Sequence, residues 1–235
     1  MLSILQQIRD ELIQNADEAT KNSGQRFFKE EVKLYGVKTA TVSKIAKQAF
    51  KKINDYSKEE IFRLCEQLWQ SGFLEESFIA CDWSYELREK YTEDDFFVFE
   101  KWVNEYVSNW ASCDTLCNHT IGSFLETYPT YIQKLKEWTK SENRWVKRAA
   151  AVSLIIPAKN ELFKQEIFEI ADSLLLDPDD LVQKGYGWML KSASQKYEED
   201  VYQFVLSRKD FMPRTALRYA IEKMPKEKKA EAMKR

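Results

Sequence analysis

No proline interrupts the first 128 residues; Pro129 is the first of only five, and glycine is nearly as scarce, at six in 235. A chain short of both punctuators has few places to turn tightly and few positions that break a helix. It favours helix over a strand-and-turn architecture. Along it, apolar residues recur three or four apart rather than alternating, which is the period of a helix with one buried face.

Leu2, Ile4, Leu5, Ile8, Leu12 and Ile13 describe a first helix ending near Asn15, followed by a polar stretch over 17–24. Phe27, Phe28, Val32, Leu34 and Tyr35 then read as a helix closing at Gly36 as its C-terminal cap. Residues 39–41 cap a helix with Val42, Ile45, Ala46 and Phe50 as its stripe. Ser57 and Glu60 have capping-box character ahead of Ile61, Leu64, Cys65, Leu68 and Trp69, and Gly72 ends that helix. Further helices are expected over 75–91, 93–107 (headed by Thr92), 114–127, 131–139, 144–156 stopped by Pro157, 162–176 stopped before Pro178, 181–195, 197–207 and 214–224. A frayed basic tail follows. From residue 129 the helices come as pairs roughly 35–40 residues apart, the spacing of helix-pair repeats in solenoids. The expected architecture is a single all-α domain over 1–235: a right-handed α-α superhelix of stacked helical pairs, curved, with a concave face.

Composition narrows the class. Hydrophobic residues make up 44% and charged residues 31%, which excludes wholesale disorder. Arg9, Asp10 and Glu11 interrupt the first apolar repeat, so it reads as an amphipathic helix and not as a signal sequence. No window approaches the ~18–20 uncharged apolar residues of a membrane span, so no membrane partner is expected. Cys65, Cys81, Cys113 and Cys117 are too sparse for a disulfide framework, which points to a reducing cytoplasm. The formal net charge is −2, yet residues 208–235 hold ten basic and four acidic side chains, a local net of +6. A nucleic-acid partner is compatible with that charge if the basic groups line one face.

The chemistry-bearing stretch is SNWASCDTLCNHTIGSFL, residues 108–125, whose only acid is Asp114. Trp110 and Asp114 are four apart, so on a helix they stand on one face, one above the other. An aromatic face beside a carboxylate offers negative potential to an electron-poor, positively charged group. The plainer reading makes Asp114 the N-cap acid of the helix that follows, and the two are compatible. Trp188 sits between Gly187 and Met189, close to Gly185; two glycines inside a helix cost roughly 1–2 kcal/mol, which implies close helix packing or close ligand approach. Trp69, Trp83, Trp102 and Trp138 read as packing. Cys113, Cys117 and His119 have an awkward spacing for a metal site, and no metal is expected there. A single histidine leaves little for Ser/His/Asp or Cys/His mechanisms, and no glycine-rich phosphate loop is present. No cofactor is expected. Cations recur near expected helix ends: Arg26, Lys29, Lys38, Lys44, Lys47, Arg144, Lys147, Arg148, Lys184, Lys191, Arg214 and Arg218. They are phosphate contacts or ordinary solvated surface.

Taken in order, RFFKEEVKLYGVKT, NWASCDT, ENRWVKRAAAVSLI, VQKGYGWMLKSAS and MPRTALRYAIEKM resemble the bacterial DNA alkylation repair family. These are the AlkD-type alkylpurine DNA glycosylases, built from HEAT-like helical repeats. The resemblance runs from about Arg26 to about Met224. It implies a C-shaped solenoid whose basic concave face cradles duplex DNA containing alkylated purines. It implies that Asp114 is the catalytic aspartate, that Trp110 and Trp188 flank the lesion's deoxyribose, and that Arg148 contacts DNA. Phe27 stands where the family often has tyrosine, Lys38 where some members have glutamine, and Lys191 where arginine is common. With Arg26, Lys29, Arg214 and Arg218 these complete the expected DNA-binding set. The implied activity is hydrolysis of the N-glycosidic bond of 3-methyladenine and 7-methylguanine by a monofunctional, monomeric, cytoplasmic enzyme. The competing reading is a non-catalytic helical-repeat scaffold that binds DNA or a protein. A pure binder has no need of a carboxylate facing a polyanion, and Asp114 weighs against it.

Overall fold

Ser3 accepts a hydrogen bond from the backbone of Gln6 and so opens the first helix, α1 (Ile4–Gln14), which Asn15 closes. In the computed structural model, residues 3–234 are described, and Leu2 of the expected first helix lies outside them. Among the described residues there is no β-strand, only one isolated bridge that pairs Lys33 with Phe73. The chain is all-helical, as the scarcity of turn residues and the apolar period require.

It divides between Leu116 and Cys117 into two units. The first contains α1, α2 (Glu18–Gln25), α3 (Thr39–Phe50), α4 (Lys58–Gln70), α5 (Leu74–Glu86), α6 (Asp95–Glu105) and α7 (Trp110–Thr115). Helix α4 carries the capping box between Ser57 and Glu60 that its sequence announces, and Gly72 ends it with φ +73°. Helix α5 is the centre of this unit and packs on α3, α4 and α7. Its Trp83 is buried and donates its indole N–H to the Ala46 carbonyl of α3 at 3.0 Å. Trp69 and Trp102 are buried as well, in line with a packing role.

This unit departs from expectation at two places. The polar stretch over 17–24 buries no residue but contains an unexpected helix: the Asp17 carboxylate caps the Thr20 amide at 2.7 Å and starts α2. The expected helix through Phe27, Val32 and Tyr35 is instead an extended strap, residues 26–37. Its first three amides, Arg26, Phe27 and Phe28, close α2 on the Ser23, Gly24 and Gln25 carbonyls, and those of Val32, Tyr35, Gly36 and Val37 find side chains. Gln25 spans it, donating to the Glu30 carbonyl and accepting from Val32 N–H, and the Glu75 carboxylate of α5 takes the amides of Tyr35, Gly36 and Val37. Gly36 is no helix cap. It sits at φ +91° where a Cβ would lie 2.6 Å from the Asp17 carbonyl oxygen, so only glycine fits.

A π-helical turn, Leu116–Ile121, continues the helical run from α7 into α8 (Gly122–Thr127). The second unit goes on with α9 (Ile132–Trp138), α10 (Arg144–Val152), α11 (Ile155–Lys159), α12 (Lys164–Ser173), α13 (Asp180–Ala193), α14 (Glu198–Leu206), α15 (Arg214–Ala220) and α16 (Lys226–Met233). Helices α10, α13 and α15 pack in series, and α9 packs on α12. The starts of α10, α13 and α15 fall 36 and 34 residues apart, close to the repeat read from the sequence. Pro157 does not stop a helix but stands in the first turn of α11, where its missing N–H has no intrahelical partner to lose. The basic tail is not frayed. It forms α16, whose Lys228 pairs with Glu198 and Glu199 at 2.7 and 2.8 Å, whose Glu231 accepts the Tyr202 hydroxyl, and whose Ala232 is buried.

Candidate functional site

Asn109, not Asp114, caps α7: its side chain accepts from the Ser112 amide at 2.9 Å. The helix therefore begins at Trp110, four residues earlier than the sequence suggests, and Asp114 lies inside it. That corrects the N-cap reading of Asp114 and leaves the other intact. At 3.6 residues per turn, Trp110 and Asp114 share a face of α7, with about 6 Å of rise between their Cα atoms. Asp114 is 8% exposed and Trp110 half-buried.

The strap holds the tryptophan. Trp110 Nε1–H donates to the Phe27 carbonyl at 3.3 Å, and the Phe28 ring stacks on the indole with centroids 5.4 Å apart and planes 27° from parallel. The Phe27 side chain is 71% exposed. Phe27, Phe28, Leu34, Lys38, Leu74 and Trp110 contribute to a pocket of about 240 Å³. Arg26, Lys29 and Lys38 are exposed, Lys38 at the N-cap position of α3. The first unit thus brings Trp110, Phe27 and Lys38 to one place, with Asp114 one turn along α7.

The strap is fastened by two adjacent carboxylates on α5 that the sequence reading passed over. Both are buried: Glu75 is 3% and Glu76 1% exposed. Glu75 takes Tyr35 N–H on Oε2 at 3.1 Å, and Gly36 and Val37 N–H on Oε1 at 2.8 and 3.1 Å. Glu76 accepts the Tyr35 hydroxyl at 2.7 Å and the Arg9 guanidinium on both oxygens. Burial pushes the Tyr35 phenol up, and the hydrogen bond to Glu76 adds to it; that same carboxylate raises Arg9. The available signal was an acidic pair ahead of a largely apolar run, LEESFIAC, but its partners lie 38 to 67 residues earlier.

In the second unit Trp188 is half-buried on α13. The flanking glycines serve helix packing. A Cβ at Gly187 would stand 2.8 Å from Tyr219 Cβ and 2.9 Å from the Ala216 carbonyl oxygen of α15, and one at Gly185 would stand 3.3 Å from Arg148 Cγ of α10. Arg148 is buried and donates from Nη1 to the Leu181 carbonyl, tying α10 to the start of α13. Lys191 pairs with Glu222 at 3.1 Å and lies over the Tyr219 ring. Arg214 donates to the Met233 carbonyl of α16 at 3.1 Å, while Arg218 is exposed on α15. Of the other cations at helix ends, Arg144 bonds Asp179 and Lys147 bonds Asp177. Several expected phosphate contacts therefore already have protein partners. Among the described residues no helix is long and apolar enough to cross a membrane.

Compared with known proteins, the chain matches the family described as DNA alkylation repair enzyme over residues 8–224. Among solved structures it is similar to a predicted DNA alkylation repair enzyme from Enterococcus faecalis, with a TM-score of 0.80 and 17% sequence identity, over 90% of this chain and 98% of that one. At that identity the likeness is one of fold. None of the curated proteins matches the chain.

Proposed function

This chain belongs to the DNA alkylation repair enzyme family, and on that premise we propose that it is a DNA glycosylase hydrolysing the N-glycosidic bond of cationic alkylpurines, 3-methyladenine and 7-methylguanine, in duplex DNA. The observation that carries the reading is the Trp110–Asp114 pair on one face of α7, its carboxylate buried and its indole braced by Phe28.

Alkylation at N3 or N7 makes the purine positively charged and a good leaving group, so the C1′–N bond is already weak. As it breaks, the bonding pair leaves with the base, and positive charge develops on the sugar. The Asp114 carboxylate, fixed in a helix, stabilises that charge and orients the water whose oxygen bonds to C1′ and whose surplus proton passes to the carboxylate and on to solvent. The Trp110 face adds attraction for the same cation. The departing base is neutralised by bond cleavage itself, so the reaction needs no second acid to protonate it. On this reading the enzyme works as a monomer, without metal or cofactor. Trp188, Lys191 and Arg218 form the DNA-contacting set of the second unit, with Arg26, Lys29 and Lys38 in the first. Arg148 and Arg214 support it through the helices they join.

The test is release of free 7-methylguanine from methylated duplex DNA by the wild type and by Asp114→Asn. Release that falls roughly 100-fold or more in the variant, with DNA binding retained and the strand left uncut until alkali is added, supports a monofunctional glycosylase. Salt-sensitive binding without release by either protein would leave a DNA-binding scaffold.

A further inference from the structure

Trp110 owes its orientation to a segment that makes no helix and is attached at two ends. At one end, the Phe27 carbonyl and the Phe28 ring hold the indole. At the other, Tyr35, Gly36 and Val37 turn three consecutive backbone N–H groups onto Glu75. Between these ends Val32 and Leu34 pack with Leu74 of α5 in a small apolar cluster that Phe28, Phe78 and Ala111 join. The link is continuous from Glu75 to the indole. We propose that Glu75 is a positioning residue for Trp110, acting through the strap that it clamps onto α5. The proposal rests on the glycosylase reading for its effect on rate, but not for its effect on the indole.

The chemistry of the clamp favours a carboxylate specifically. Three convergent backbone N–H donors need an acceptor with several lone pairs and no hydrogens of its own, and an ionised glutamate is acceptor-only. An amide at the same position turns an NH₂ toward one of these N–H groups, so at least one bond becomes donor against donor. Glu75 is buried, so water cannot freely take over the donors that are lost. Gly36 is itself tied down, because its carbonyl accepts the Asp17 N–H at 3.1 Å and its positive-φ backbone lies so close to Asp17 and Lys21 that no Cβ would fit. Displacement of the Tyr35–Val37 amides therefore passes along the strap to Phe28 rather than being absorbed at the glycine.

The test compares wild type with Glu75→Gln by two readouts. The first is the set of indole N–H resonances of the ¹⁵N-labelled protein, which has seven tryptophans, with the Trp110 signal identified by its loss in Trp110→Phe. In Glu75→Gln the Trp110 signal is expected to move and to exchange with solvent roughly tenfold faster. The Trp83 and Trp102 signals, bonded to Ala46 and Glu66 elsewhere in the unit, should stay in place. The second readout is single-turnover base release, expected to fall on the order of tenfold or more while affinity for undamaged duplex stays within about twofold. A general loss of folding would move all the indole signals together and would not separate rate from affinity. Should Glu75→Gln not fold, Phe28→Leu breaks the same link at its half-exposed end and must give the same two changes. An unmoved Trp110 signal, or an unchanged release rate beside a moved one, overturns the proposal. If the wild type releases no base while the Trp110 signal still follows Glu75, the glycosylase reading falls and the positioning of Trp110 stands.

Discussion

Gly187→Ala and Gly185→Ala place the same methyl group two residues apart on α13, and the structure assigns a clear loss to the first and little or none to the second. In an exposed helix interior, alanine for glycine gains about 1 kcal/mol of helix propensity. At Gly187 the new Cβ would stand 2.8 Å from Tyr219 Cβ, 2.9 Å from the Ala216 carbonyl oxygen and 3.1 Å from Ala216 Cα. Two of these atoms are backbone of α15 and cannot rotate aside. Helices α13 and α15 must part by roughly 0.5–1 Å to restore ordinary carbon contact, across an interface where Ala216, Leu217 and Ala220 are fully buried. Overpacking of this kind costs typically 1–3 kcal/mol, here toward the upper end, so the net is a loss of about 1–2 kcal/mol. For a chain of this length that lowers the unfolding midpoint by roughly 2–8 °C. At Gly185 the nearest atom is Arg148 Cγ at 3.3 Å, with Arg148 Nη1 and Val152 Cγ1 at 3.6 Å, all side-chain atoms that need give only a few tenths of an ångström. There the propensity gain offsets the contact, and the variant should sit within about 0.5 kcal/mol of wild type or above it. The assay is guanidinium unfolding of all three proteins under one set of conditions, followed by far-UV circular dichroism. Gly187→Ala equal to or more stable than wild type would refute the reasoning, since the close approach of α13 and α15 would then not be what requires glycine.

Ser57→Ala removes one half of the capping box that starts α4 and should cost about 1 kcal/mol in the same unfolding assay. Burial works to raise the Glu66 carboxyl, but hydrogen bonds from Lys101, Tyr106 and Trp102 outweigh it and leave it below the ordinary glutamate range. Its stabilisation is therefore complete above the unfolded value of about 4.3 and is lost as pH falls through the lower folded value. Glu66→Gln should weaken the protein at pH 7 and flatten its stability profile below pH 5, as pH-dependent thermal melts would report. Asp82 has the opposite sign: burial raises its carboxyl, partly opposed by Lys47 and reinforced by Glu86. The ionised form is the costly one, so Asp82→Asn should raise the melting midpoint at pH 7, with the advantage shrinking as pH falls toward the usual aspartate value near 4. Ending the chain at Pro225 removes α16, with its buried Ala232 and its bond to Arg214, and should lower the melting midpoint measurably; an unchanged midpoint would mean that α16 contributes nothing to the second unit.

Where a helix is announced by its own neighbours, the amino-acid order alone was enough. The Ser57–Glu60 box, the Gly72 stop, the apolar stripe of α3 and the buried Trp83 and Trp102 are all decided within a turn or two, because caps and amphipathic periods act over three to four residues. The Trp110–Asp114 spacing is legible too, but that both lie on one helix is not: the expected helix starts at Asp114, and the Asn109 cap that brings Trp110 into α7 went unread. What tertiary structure decided are the places where a distant group outbids the local preference. Residues 26–37 carry a helix-like apolar pattern, yet three of their amides go to Glu75, about 40 residues on. Lys228, Glu231 and Ala232 look like a solvated tail until α14 supplies Glu198, Glu199 and Tyr202. Arg148 looks like any cation on a helix until α13 closes over it. In each case the deciding energy is a hydrogen bond, ion pair or contact between residues far apart in sequence, which local order does not encode.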